Sequence, residues 1–229
     1  MTEEAAGAFT PIPRESTASL IADRLREAIA RGDLAPGMQL AEAELARGLG
    51  VSRGPLREGM QRLTQEGLLV YHRNRGLFVI EMTPTNVRDM YVARAAVERA
   101  AAREIFQHDP GAAAAALEAV IDRMAEAGHR DETSEVSRAD IEFHELLVAL
   151  AGSDRLSRMH RTLLTETQMC IHALEKTYDG HDARVREHRN MARAFAEPDA
   201  SLIDRMLLAH MEDAVTRLTH DQAGPVEKA

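Results

Sequence analysis

The chain has 229 residues, 45% hydrophobic and 28% charged, with 3% aromatics, no Trp and 11 Met; this composition excludes wholesale disorder and favours one or two globular domains with a Leu, Ala, Ile, Val and Met core of packed helices over a β-sandwich. The lone Cys170 excludes an internal disulfide and fits a reducing cytoplasm, and with Glu3 and Glu4 near the start and no apolar run approaching roughly 18 residues, neither export nor membrane insertion is expected. The net charge of −9 argues against a nucleic-acid partner only until its distribution is read, because residues 1–80 hold ten Arg and ten Asp or Glu, so the whole deficit lies in residues 81–229.

Residues 1–15 contain two Pro and little apolar periodicity, which predicts a flexible tail. From residue 16 the spacing of Ile21, Leu25, Ala28 and Ile29 predicts a helix, capped by Ser16 or Thr17 and closed by Gly32. Pro36-Gly37 suits the centre of a type II turn. A short second helix over about 42–48 should turn Leu45 and Leu49 inward, and it has no good side-chain cap because Leu40 and Ala41 cannot accept hydrogen bonds. Gly50 then permits a tight turn.

The stretch Ser52-Arg53-Gly54-Pro55-Leu56-Arg57-Glu58 begins a third helix. Ser52 as N-cap can accept from the Gly54 N–H, and Pro55 lies in the first turn, where a missing backbone donor costs nothing. At about 100° per residue, Arg53, Arg57, Gln61 and Thr64 form a polar stripe beside an apolar one of Leu56, Met60 and Leu63. Within 47–75 six Arg face only Glu58 and Glu66. A solvated helix face explains such arginines equally well when they stand alone. Two β-prone runs, 68–71 and 77–80, flank His72-Arg73-Asn74-Arg75-Gly76, so a hairpin tipped with arginine follows the helix. Three helices and a hairpin make a winged helix-turn-helix over residues 16–80, with one helix in the major groove of double-stranded DNA and wing arginines on phosphate or in the minor groove.

After a linker at 81–86 the chain reads as helical almost throughout, with helices expected over 84–107, 110–128, 133–151, 153–177, 181–196 and 198–221. That predicts a mainly α protein in which an all-α antiparallel helical bundle over 87–222 follows the winged head and a short tail ends the chain at 223–229. Asp140 and His144 are four apart and converge on one helix face, and His188 and His210 on two later helices can point into the same cavity. Three imidazoles and a carboxylate suit divalent zinc, nickel, manganese or iron, although an isolated Asp-x-x-x-His pair is more often a solvated face. The other histidines, His108, His129, His160, His172, His181 and His220, read most simply as surface positions, with His172 able to line a cavity.

Two resemblances sharpen these readings. Gly-Asp-Leu-Ala-Pro-Gly (32–37), Glu-Leu-Ala (44–46), Leu-Gly-Val-Ser-Arg-Gly-Pro-Leu-Arg-Glu (49–58) and Asn-Arg-Gly (74–76) resemble the DNA-binding domain of GntR-type regulators. By position, the resemblance implies that Ser52, Arg53, Gly54 and Arg57 face the operator and that Arg75 and Gly76 form the wing tip. Gly54 stands where many members have Thr and Ala43 where some have an operator-reading Arg, so base preference does not transfer.

The second half resembles the FCD effector domain of the FadR subfamily, in its VanR-like six-helix form, through residues 90–98, Asp140-Ile141-Glu142-Phe143-His144, Glu187-His188 and His210. The resemblance implies a divalent metal, zinc first, on Asp140, His144, His188 and His210 beneath a cavity for a small carboxylate-like effector. It also implies that Arg94 meets an anionic effector; the alternative is a salt bridge to Glu98. Together they imply a cytoplasmic homodimer that represses from a palindromic operator. The alternative is a metal-dependent hydrolase using the same Asp and three His, against which stand Val148 in place of the second His of His-Glu-x-x-His and the lack of any nameable general base.

Overall fold

A computed structural model of the chain describes residues 16–178 and 180–220, the side chains of His172 and His220 excepted. The expected tails at 1–15 and 223–229, the end of the bundle at 222 and the cavity role of His172 lie outside the described residues.

Helix α1 (Thr17–Ala30) is capped by Ser16, whose hydroxyl accepts from the Ser19 N–H at 3.2 Å. It buries Ile21, Leu25 and Ile29 against Leu56, Met60 and Leu63 of α3 (Arg53–Gln65), while Arg53, Arg57 and Gln61 stay exposed, so the two stripes separate as their spacing requires. Gly59 makes the close approach possible: a Cβ there would lie 2.9 Å from Ile21 Cγ2 and 3.0 Å from the Ala18 carbonyl oxygen. Between them α2 (Glu42–Leu49) has no side-chain cap and ends on Gly50 at φ 65°. One expectation fails here: Leu49 is exposed and Ala46 is the buried residue of α2, while Leu45 is half-buried against the head's core as expected.

Ser52 does precede α3 with extended backbone, but its side chain caps nothing. Pro55 occupies the third helical position and has no N–H, which removes one of the two donors an N-cap ordinarily serves.

The wing is a three-stranded antiparallel sheet in the order β1-β3-β2, from β1 (Gln39–Leu40), β2 (Leu69–His72) and β3 (Gly76–Val79). β1 is an addition the sequence pattern did not announce. Its two residues pair as Gln39 with Phe78 and Leu40 with Leu77. Asn74 at φ 63° and Gly76 at φ 96° make the turn, the left-handed positions that Asn and Gly favour.

Thr83 caps α4 (Pro84–Ile105) by accepting from the Asn86 N–H at 3.2 Å, so helix begins inside the expected linker and only residues 80–83 lie between strand and helix. Then come α5 (Pro110–His129), α6 (Thr133–Leu150), α7 (Asp154–Glu175), α8 (His181–Ala194) and α9 (Ala200–His220). α4 packs on α9, and α5 on α6 and α8. One core, around Leu117, Ile121, Phe143, Leu147 and Leu207, fills one end of this bundle. A second, around Tyr91, Ile141, Leu164 and Met211, fills the other. No described helix is long and apolar enough to cross a membrane. α7 also leans on the head: Met169 packs against the head's core, and a cleft of about 360 Å³ between α1 and α7 is lined by Asp23, Arg26, Arg31, Thr165 and Gln168 among others.

Candidate metal centre and nucleic-acid interface

On the head, Ser52, Arg53, Gly54 and Arg57 are all exposed on the first turns of α3, and Arg75 is exposed at the tip of the wing beside Gly76. Helix and wing thus present their cations to solvent. Arg57 is held by Glu42 of α2, Nε to Oε2 at 2.7 Å, an exposed pair that water screens and a phosphate can outcompete. The Arg75 guanidinium lies 5.1 Å above the Phe78 ring, and its carbonyl accepts from Gln39 Nε2 at 2.5 Å.

In the bundle, α6, α8 and α9 bring His144, His188 and His210 together, each with one ring nitrogen such that all three lie within 4.8 Å of one another. The His144 and His210 rings stack at 5.0 Å, and His188 stands edge-on to both. The Nδ1 atoms are tied off. His144 Nδ1 lies 2.8 Å from Glu98 Oε2, His188 Nδ1 lies 2.9 Å from the Arg184 carbonyl oxygen and His210 Nδ1 lies 2.9 Å from Glu187 Oε1. With Nδ1–H donating to these oxygens, each ring keeps its Nε2 lone pair, and the buried Nε2 atoms of His144 and His188 have no hydrogen-bond partner. Burial, with Arg94 beside it, pushes the His144 imidazole down to about 3, so it is neutral and able to donate a lone pair at physiological pH.

Asp140 stands apart from this set of three. Its Oδ2 is 3.2 Å from His188 Nε2, without hydrogen-bond geometry, and accepts from Arg184 Nε at 2.7 Å. Burial raises the Asp140 carboxyl, but Arg184 and His188 outweigh it and hold the group well below the usual range.

Arg94 adopts the ion pair that was the alternative to effector contact: its Nε donates to Glu98 Oε1 at 2.6 Å, both residues being buried. Its Nη2, however, has no acceptor. Glu98 also accepts from His160 Nε2 at 2.9 Å, which corrects the surface reading of His160, 2% exposed on α7. Burial raises Glu98 too, yet Arg94 and His144 hold it well below the usual carboxylate range. Three participants were missed from sequence: Glu98 as the carboxylate that orients His144, His160 as its further partner, and Arg184. Arg184 sits four residues before His188, so the spacing that links Asp140 to His144 marks it as well.

Residues 17–79 match the family described as bacterial regulatory proteins, gntR family, and residues 89–213 match the FCD domain. The chain is similar to the HTH-type transcriptional regulator YdhC of Bacillus subtilis (strain 168), 29% identical over 204 residues that cover 86% of this chain and 89% of that one. It is 25% identical over 193 residues to the HTH-type transcriptional repressor RspR of Escherichia coli (strain K12), covering 82% of this chain and 83% of that protein. Among solved structures, that of a transcriptional regulator GntR from Rhodococcus sp. RHA1 matches with a TM-score of 0.72 at 26% identity, over 92% of this chain and 100% of that one.

Proposed function

Because this chain belongs to the gntR family of bacterial regulatory proteins and carries an FCD effector domain behind its DNA-binding head, we propose that it is a homodimeric cytoplasmic repressor whose grip on a palindromic operator is set by a small carboxylate held over a divalent ion. Regulators, not enzymes, make up the relatives and neighbours it matches, so the hydrolase alternative is set aside.

The observation that carries the sensing half is the set of three buried imidazoles with Nδ1 tied off and Nε2 facing a common point. Closely spaced neutral nitrogen donors suit zinc first, with nickel, manganese or iron also compatible. His144, His188 and His210 would hold the ion, and Asp140, whose Oδ2 lies 3.2 Å from His188 Nε2, would be the carboxylate nearest to it. A bound ion supplies a fixed positive charge on which an effector carboxylate can rest. Glu98, Glu187 and the Arg184 carbonyl keep the rings oriented whether or not the carboxylate is present.

The gripping half rests on exposure and charge. Arg53 and Arg57 read base edges in the major groove, Ser52 and Gly54 let the backbone approach a phosphate, and Arg75 with Gly76 reaches the neighbouring groove. Ser52 is suited to this because its hydroxyl caps nothing in the helix. Two copies related by a two-fold axis require two inverted half-sites. The name of RspR favours repression.

A gel shift on the DNA upstream of the gene tests the proposal. A specific complex is expected at physiological salt, lost in Arg53→Ala, weakened by a small organic acid and insensitive to that acid after chelation. Failure to form a specific complex refutes the gripping half, and an acid response that survives chelation refutes the role of the ion.

A further inference from the structure

Two buried arginines in the effector domain carry more N–H groups than the protein satisfies. Arg94, 1% exposed, spends Nε on Glu98 at 2.6 Å and Nη1 on Thr167 Oγ1 at 3.4 Å, and its Nη2 meets no acceptor. Arg184, 2% exposed, spends Nε on Asp140 at 2.7 Å and Nη1 on Ser137 Oγ at 3.2 Å, and its Nη2 also meets none. The Tyr91 hydroxyl is a third such donor, its ring 5.6 Å from the Arg94 guanidinium. A charged donor buried without an acceptor is costly, and a native protein tolerates one where a ligand completes it.

These donors flank the imidazole cluster on two sides. Glu98 touches both Arg94 and His144, and Asp140 touches both Arg184 and His188, so each guanidinium stands one carboxylate away from a different imidazole. Charge points the same way. Among the fully buried groups here, two guanidiniums are matched by two carboxylates, while Glu175 and Glu187 at the rim are partly exposed to water. A divalent ion adds two positive charges and no further buried anion.

We infer that the effector is a dianion, a compact dicarboxylate with one carboxylate completing Arg94 and Tyr91 and the other completing Arg184. This rests on the reading that an ion and an organic acid share the site. Arg184 also borders a cleft of about 30 Å³ with Thr133, Glu175, Tyr178, Gly180 and His181, room for about one water, so a carboxylate reaches Arg184 only when the side chains around this cleft give way.

Isothermal titration of the full-length protein, loaded with one Zn²⁺ per chain as verified by elemental analysis and held at pH 7.5, tests this with succinate, glutarate and adipate, each against its own monomethyl ester. The best diacid is expected to bind about 10- to 100-fold tighter than its ester, or about 1.4–2.8 kcal/mol at 1.4 kcal/mol per tenfold. In Arg184→Gln that ratio is expected to fall below about 3-fold, through loss of diacid affinity and not a gain by the ester. A wild-type ratio below about 3-fold for every pair, or a ratio that survives in Arg184→Gln, overturns the inference. Should Arg184→Gln fail to fold, Arg184→Lys replaces it: the ammonium lacks the fork, so the ratio should drop several-fold, and an undiminished ratio overturns the inference equally. If esters bind as tightly as diacids, only the second anionic group is refuted; if neither binds the loaded protein, the carboxylate-over-ion reading falls and takes this one with it.

Discussion

Glu98→Gln isolates the buried carboxylate on which Arg94, His144 and His160 converge. Glu98 is fully buried and answers three donors with two oxygens: Arg94 Nε at 2.6 Å and His160 Nε2 at 2.9 Å on Oε1, and His144 Nδ1 at 2.8 Å on Oε2. Glutamine keeps the shape and removes one acceptor oxygen together with the charge. Whichever way the amide turns, its NH₂ points at an N–H donor, and the Arg94 guanidinium is left buried without its counter-ion. Breaking a buried pair by removing one partner costs about 3–5 kcal/mol, which at about 2–4 °C per kcal/mol for a chain of this size lowers the melting midpoint by about 6–20 °C.

A second consequence follows at the ring. If the amide NH₂ faces His144 Nδ1, that nitrogen becomes the acceptor, the proton moves to Nε2 and the lone pair turned toward the other imidazoles is lost, so ion affinity should fall about 10- to 100-fold. Circular dichroism melts of the ion-free proteins and competition against a chromophoric chelator measure the two effects separately. Glu187→Gln is the control: Glu187 is partly exposed and holds the buried His210 from the rim, where water replaces the lost oxygen, and its effect on the melt should stay below about 1 kcal/mol. A Glu98→Gln protein that melts within about 2 °C of wild type and binds the ion unchanged would refute the assignment of Glu98 as the hub of the site.

Four further outcomes are expected. Burial, aided by Asp89, raises the half-buried Glu166 carboxyl to about 7; a folded value above the unfolded one means that its contribution is present below about pH 4.5 and lost as pH rises toward 7. Glu166→Gln should therefore add about 1–2 kcal/mol at pH 8, after allowance for screening, and nothing at pH 4.5, with equal gains at both values counting against it. Gly59→Val should cost about 1–3 kcal/mol by thrusting side-chain atoms into Ile21 and the Ala18 carbonyl, and a wild-type urea midpoint for the head would show that α1 and α3 are not so closely packed. Glu42→Gln frees Arg57 from its exposed pair, so operator affinity by fluorescence anisotropy should rise about 2- to 5-fold, and an unchanged value would place Arg57 away from the DNA. Met169→Ala at the seam between α7 and the head should leave binding of operator and of effector each within about 3-fold of wild type while shrinking the effect of one on the other, and a coupling unchanged from wild type would show that the seam transmits nothing.

How much of this was legible in the sequence depends on how local the physics is. The head was readable because its turns are fixed by single residues: Gly50, Asn74 and Gly76 take positive φ, and three apolar residues of α3 repeat at helical spacing. Its error at the cap of α3 also had a local cause, since Pro55 removes a donor there. In the bundle, the Asp140 and His144 pair shares one helix face and was visible as such. His188 and His210 could be named from sequence only as able to reach the same cavity, and the family resemblance made them ligands, because no spacing rule relates residues on α8 and α9 to one on α6. His160 was misread since its burial depends on α7 lying against the Glu98 side of α4, a tertiary fact with no signature within one helix. Arg184 was within reach of the same four-residue rule that found Asp140, and was passed over because a lone arginine on a polar helix ordinarily faces water.

What joins the two halves physically is α7 and the rigidity of the head it touches. From α7, His160 reaches Glu98, and Thr167 reaches both Arg94 Nη1 and the Met90 sulfur, so a ligand that draws on Arg94 alters the contacts that seat this helix. A few residues along, Met169 packs against the head's core, and Thr165 and Gln168 line the cleft against α1. α1 in turn is bound to α3 twice over, by the fork of Arg26 on Glu66, with Nη2 at 2.8 Å and 2.9 Å and Nε at 3.2 Å, and by the contact that only Gly59 permits. On the proposed function, a head so tied would move as one body if α7 shifted. In a dimer, a displacement of about 1–2 Å at that helix then changes the separation of two recognition helices instead of being absorbed within one domain, and a palindrome of fixed half-site spacing is sensitive to that change.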